Sequence, residues 1–70
     1  MQEIYTIIGK RIAAKRLECQ LSQLKLAEIT DLNKNYIGNI ERAEKHVTIR
    51  TLQRIAKALN CKMEYFFKDL

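Results

Sequence analysis

The segment Leu21–Arg42, LSQLKLAEITDLNKNYIGNIER, constrains this chain more than any other. Two short apolar patterns of helical period stand back to back in it, parted by a tight polar break. Leu21, Leu26, Ala27, Leu32, Ile37 and Ile40 are spaced to fill one shared core. Ser22 and Asn33 stand just ahead of the two patterns, where a side-chain oxygen can accept from a free helix N–H. The spacing predicts a helix over Ser22–Thr30, a turn around Asp31 and a second helix over Asn33–Arg42.

Seventy residues suffice for one small domain, 1–70, and leave no room for a second core. With no Pro and two Gly, linkers and long irregular loops are not expected. Hydrophobic residues make up 47% of the chain and aromatics 7%, which suits an all-α, compact helical bundle. An all-β domain would show more alternation and more turn residues. The formal net charge of +5 is what a chain with a polyanionic partner carries, although a surface can also be basic without one.

Other classes lack their parts. Cys19, Cys61 and His46 fall short of the roughly four ligands of a zinc site, so no metal and no cofactor is expected. Arithmetic allows one disulfide, but no signal peptide is visible and a cytoplasmic location is expected, so both Cys read as reduced apolar fillers. No apolar run approaches the ~20 residues of a membrane span. The chain has no Ser-His-Asp set, no carboxylate cluster and no Gly-rich phosphate loop, so no enzyme and no catalytic residue is read, and no small-molecule ligand is expected.

Along the chain, Ile4, Ile8, Ile12 and Leu17 mark a first helix that Gln20 ends. Lys10, Arg11 and Lys15 on it read as solvated charge. After the two central helices comes a polar connection, residues 43–47. Thr48 then reads as the N-cap of a fourth helix with a core stripe of Ile49, Leu52, Ile55, Ala56 and Leu59, closed by Asn60. A short fifth helix over Lys62–Lys68 carries Met63, Tyr65, Phe66 and Phe67. Four large apolar groups exceed what one face of so short a helix can hide, and the surplus is a candidate dimer surface.

Two capped helices joined by a short turn make a helix-turn-helix at residues 22–42, whose second helix offers a polar face of Asn33, Lys34, Asn35, Tyr36 and Asn39. The chain resembles the phage-repressor-type (Cro/repressor, Xre-like) family. Arg16, Leu21-Ser22-Gln23, Leu26-Ala27, Tyr36-Ile37, Ile40-Glu41, Thr48-Ile49, Thr51-Leu52 and the run Ile55–Leu59 carry the resemblance. It implies a five-helix bundle of the lambda-repressor-like type and sequence-specific binding of double-stranded DNA as a homodimer regulating transcription. It also implies that Lys34, Asn35 and Asn39 read bases, and that Gln23, Arg42, Lys45, Arg50 and the Thr48 cap meet phosphates. Arg16 and Glu41 match a largely buried ion pair of the family. Tyr36 matches an aromatic that packs or touches backbone. The chain departs from the family in having Asp31 where Gly is common in the turn, and Ala43 and Val47 where Gly and Pro are common after the second helix. The stretch Arg42–Leu52 looks most like restriction–modification controllers. The alternative is a helical protein-interaction module that does not read DNA, with Leu24 and the aromatic C-terminus as its surface.

Overall fold

The computed structural model describes residues 4–70, and the regular structure among them is helical. Five helices follow one another: α1 (Ile4–Glu18), α2 (Gln23–Thr30), α3 (Lys34–Glu41), α4 (Ile49–Ala58) and α5 (Glu64–Phe67). Three begin at the side-chain caps that the sequence announces. Ser22 Oγ accepts from the Lys25 N–H at 2.9 Å, Asn33 Oδ1 from Asn35 at 2.7 Å and Thr48 Oγ1 from Thr51 at 3.1 Å.

The ends of α1 to α4 share one solution. Gln20, Asp31, Ala43 and Asn60 all adopt left-handed backbone, with φ of 61°, 58°, 61° and 55°. The next residue's N–H reaches back five residues each time: Leu21 to Arg16 O, Leu32 to Ala27 O, Glu44 to Asn39 O and Cys61 to Ala56 O, at 2.8–3.1 Å. This 6→1 closure takes up the helix's orphan carbonyls. Leu21, Leu32 and Cys61, delivered by it, pack against the core. Asp and Asn tolerate this conformation, whereas Ala43 sits in it against its steric preference.

Neither glycine is used in a turn. Gly9 and Gly38 are both buried within helices. A Cβ at Gly9 would lie 2.5 Å from the Ile40 carbonyl oxygen and 2.6 Å from that of Glu41. The missing side chain therefore lets α1 lie directly on the backbone of α3, a role not read from the sequence. α2 packs on α3 and α4, and α1 on α3 and α5. Ile12, Leu26, Ile37, Ile40, Leu52, Ile55, Leu59 and Phe66 are fully enclosed between them.

Several expectations need correction. Ile4, Leu17 and Ile49 are 45%, 64% and 62% exposed. Ile8, Ile12 and Arg16 form the buried face of α1, and Leu17, five residues past Ile12, lies about 140° around the helix from it. Ile4 and Ile49 stand at helix starts, on the rim of the core. The fifth helix is shorter than Lys62–Lys68, because Lys68 is already extended. Arg11 Nη1 donates to the carbonyls of Tyr65 (3.3 Å) and Lys68 (2.6 Å), so the guanidinium, not a further helical turn, takes up these oxygens. Arg11 thus ties α1 to α5, and Lys15 pairs with Glu18 while lying 4.9 Å over the Tyr65 ring. Neither is merely solvated charge. Cys19 is exposed, not a core filler, and both thiols are free. Phe66 is fully buried and has no surface to offer a second copy, whereas Met63, Tyr65 and Phe67 are half-buried.

Candidate nucleic-acid interface

The face of α3 opposite its buried Ile37, Gly38 and Ile40 is polar and open. Lys34 and Asn35 are exposed, and Asn39 is half-buried. Beside them a polar cleft of about 280 Å³ is lined by Gln23, Lys34, Asn35, Gly38, Asn39 and Arg42. Gly38 keeps the cleft open, because a Cβ there would come within 3.0 Å of Arg42 Nη1 and 3.5 Å of Gln23 Oε1.

The orientation of α3 is set by a buried knot of charge. Arg16 Nε donates to Glu41 Oε2 at 2.7 Å and Nη2 to Oε1 at 3.1 Å, with the two side chains 10% and 6% exposed. Arg16 Nη1 donates to the Leu21 carbonyl at 2.8 Å, and Gln23 Nε2 to Glu41 Oε1 at 2.9 Å. One cluster thereby joins α1, the entry to α2, α2 itself and α3. It contains the ion pair that the resemblance implied, and Gln23 is its visible brace.

The remaining site residues divide by what already engages them. Asn33 commits its oxygen to capping α3. Tyr36 packs partly against the core. Asn39 Oδ1 accepts from Arg42 Nη2 at 3.0 Å. Arg42 also donates to Glu44, through Nε at 3.1 Å and Nη2 at 3.2 Å. These hydrogen bonds hold the Glu44 carboxyl below its ordinary range and raise Arg42 above its own. Lys45 and Arg50 are exposed, and Thr48 caps α4; these three stand outside the cleft. The sequence reading missed Gly38 and Glu44. A glycine inside a helical pattern was a signal for the first, since it weakens the helix unless something needs the space. Nothing in the pattern pointed to Glu44.

A second concavity, apolar, lies between α1, the α3–α4 connection, the start of α4 and α5. Ile4, Tyr5, Ile8, Val47, Ile49 and Phe67 line most of it. Tyr5 and His46 stack at its edge with centroids 3.9 Å apart and planes 3° from parallel. Among the described residues, no helix is long and apolar enough to cross a membrane.

The helix-turn-helix family model matches residues 12–66. The control protein C.SmaI of Serratia marcescens is 45% identical over 58 residues, which cover 83% of this chain and 69% of that protein. Two further curated relatives, both from Rickettsia, extend well beyond the match, and the chain spans 56% and 54% of their lengths. Among solved structures, the restriction-modification controller protein C.AhdI from Aeromonas hydrophila superimposes with a TM-score of 0.87 at 28% identity, covering 90% of this chain and 96% of that one. SinR, described as the master regulator for biofilm formation and solved in complex with DNA, gives a TM-score of 0.82 at 29% identity over 87% of this chain and 98% of SinR.

Proposed function

The chain belongs to the helix-turn-helix family, and on that premise we propose that it is a sequence-specific double-stranded DNA-binding transcriptional regulator, folded as a single domain and acting as a homodimer on a roughly palindromic operator in the cytoplasm. The observation that carries this reading is the open polar face of α3, held at a fixed angle by the Arg16–Glu41–Gln23 knot. In this reading α3 enters the major groove. Lys34 donates to guanine, while Asn35 and Asn39 pair with adenine edges. Gln23, Arg42, Lys45, Arg50 and the N-terminus of α4 at Thr48 set the register on phosphates, and Asn33 and Tyr36 border the contact. The two copies place their helices in half-sites ~34 Å apart. Met63, Tyr65 and Phe67 supply the surface between copies, with Phe67 and Ile49 at the apolar groove. The likeness to C.SmaI and C.AhdI favours a restriction–modification controller role, with no catalysis and no cofactor.

The exposed apolar groove and Leu24, 51% exposed, support a second reading, a protein-interaction module that does not read DNA. Selection of bound duplexes from a randomised pool at ~0.15 M salt separates the two. Enrichment of a two-fold symmetric site supports the dimeric regulator. Recovery of unselected sequence by the folded protein supports the module. The double change Lys34→Glu with Arg42→Glu abolishes the enrichment and leaves the fold intact if the site is assigned correctly.

A further inference from the structure

Arg42 carries a counter-anion of its own chain. Its Nε and Nη2 meet the two oxygens of Glu44 at 3.1 and 3.2 Å, a two-point fork. This is the geometry by which arginine takes a phosphate. The fork is built by the backbone as well as by the side chains. Ala43 turns left-handed, and the Glu44 N–H is bound to the Asn39 carbonyl at 2.8 Å, which folds Glu44 back against the end of α3. The same Nη2 holds Asn39 Oδ1 at 3.0 Å. That oxygen is one of the two atoms an asparagine needs to pair with adenine. Two residues of the proposed contact face are thus engaged within the chain, Arg42 by the Glu44 carboxylate and Asn39 by Arg42 itself. Both partners of the ion pair are more than half exposed, 56% and 57%, so the fork is open to exchange.

Resting on the DNA-binding reading above, we propose that Glu44 is an internal stand-in for a DNA phosphate, masking Arg42 until a correctly placed phosphate displaces it. Binding to non-operator DNA is almost wholly a matter of phosphate charge. Each such encounter must compete with Glu44 for Arg42 and returns little for winning. On the operator, base contacts fix α3 so that Arg42 meets its phosphate in every complex, and Glu44 is displaced there each time. Glu44 therefore lowers affinity on both kinds of DNA, on the operator by at least as much as on random sequence, and so tunes the strength and reversibility of binding. An exposed ion pair is weak enough to be exchanged without trapping Arg42.

The test measures binding of the full chain to a mixed-sequence duplex, and to the duplex recovered by selection, over a salt series. Glu44→Gln, Arg42→Gln and the double variant are compared with wild type, with thermal melts to verify that each is folded. Glu44→Gln is expected to bind the mixed-sequence duplex about two- to fivefold more tightly, the range an exposed pair commands. Its log–log salt slope steepens by about 0.9, one additional phosphate neutralised. Operator affinity rises by at least as much, and the double variant binds no more tightly than Arg42→Gln. A gain of the same size in the Arg42→Gln background would show a general charge effect and overturn the proposal, as would an unchanged mixed-sequence affinity in Glu44→Gln. A folded wild-type chain that bound neither duplex would overturn the DNA-binding reading itself, an outcome distinct from both.

Discussion

The Glu41 carboxylate grips the Arg16 guanidinium at two points, 2.7 and 3.1 Å, with both side chains nine-tenths or more buried. Removing one partner strands the other's charge, at about 3–5 kcal/mol. Arg16→Met and Glu41→Leu are each expected to lose that much stability in urea melts. The double variant replaces the pair by apolar volume and is expected to be more stable than either single. Additive losses would refute the account.

The two glycines predict opposite outcomes for one substitution. Gly9→Ala drives a methyl into the Ile40 and Glu41 carbonyls, and α1 must lift from α3. The net loss is expected to be about 1–3 kcal/mol despite the better helix former. At Gly38 the nearest atom is the mobile end of Arg42, so Gly38→Ala is expected to gain up to ~1 kcal/mol in stability and to weaken DNA binding by filling the cleft. Melting temperature and duplex affinity, measured on both variants, decide the matter.

Ala43 holds φ at 61°, a conformation that costs an ordinary residue roughly 1–2 kcal/mol. Ala43→Gly should raise stability by about 1 kcal/mol, visible as about 4–8 °C in Tm. Asn60→Gly should gain less, because Asn already tolerates the left-handed region. Equal gains at the two positions would mean that the strain at Ala43 is not what limits stability.

Phe66 and Phe67 are neighbours with different duties. Phe66→Ala opens a cavity in the core and is expected to cost about 3–5 kcal/mol. Phe67→Ala, at the groove, is expected to cost less and to shift sedimentation towards monomer. If Phe67→Ala left the sedimentation coefficient unchanged, the groove would not be the dimer surface.

Burial raises the Cys61 thiol above its ordinary value. A raised value means less thiolate at a given pH, hence slower attack on a disulfide reagent. In a Cys19→Ser variant, the Cys61 labelling rate at neutral pH should fall below that of a small free thiol and keep rising with pH beyond the point where the free thiol levels off. A rate equal to the free thiol's would contradict this.

The helix starts were legible because Ser22, Asn33 and Thr48 are chemical signals that act within three residues. So was the inward set of α2 and α3, and of α4 from Leu52 onward, where periodicity and burial coincide. The stripe of α1 was misread at Leu17, since a pattern five residues long counts as apolar without lying on one face. The contact of Gly9 was invisible because its partners, Ile40 and Glu41, come from a helix more than thirty residues away. The fork of Arg42 and Glu44 depends on the left-handed Ala43 between them, and alanine does not advertise that conformation. Of the C-terminal aromatics, sequence could count the surplus but could not say that Phe66 belongs to the core.

On α3, the residues that hold the helix in place and those that face outward are different sets. Ile37, Gly38 and Ile40 are buried, while Lys34 and Asn35 are exposed and, among the described residues, bear no structural bond through their side chains. Exposed positions of this kind usually accept substitution within about 0.5 kcal/mol. In the proposed DNA-binding reading, a descendant of this chain could therefore follow a drifting operator by exchanging these two residues, passing through no poorly folded ancestor on the way.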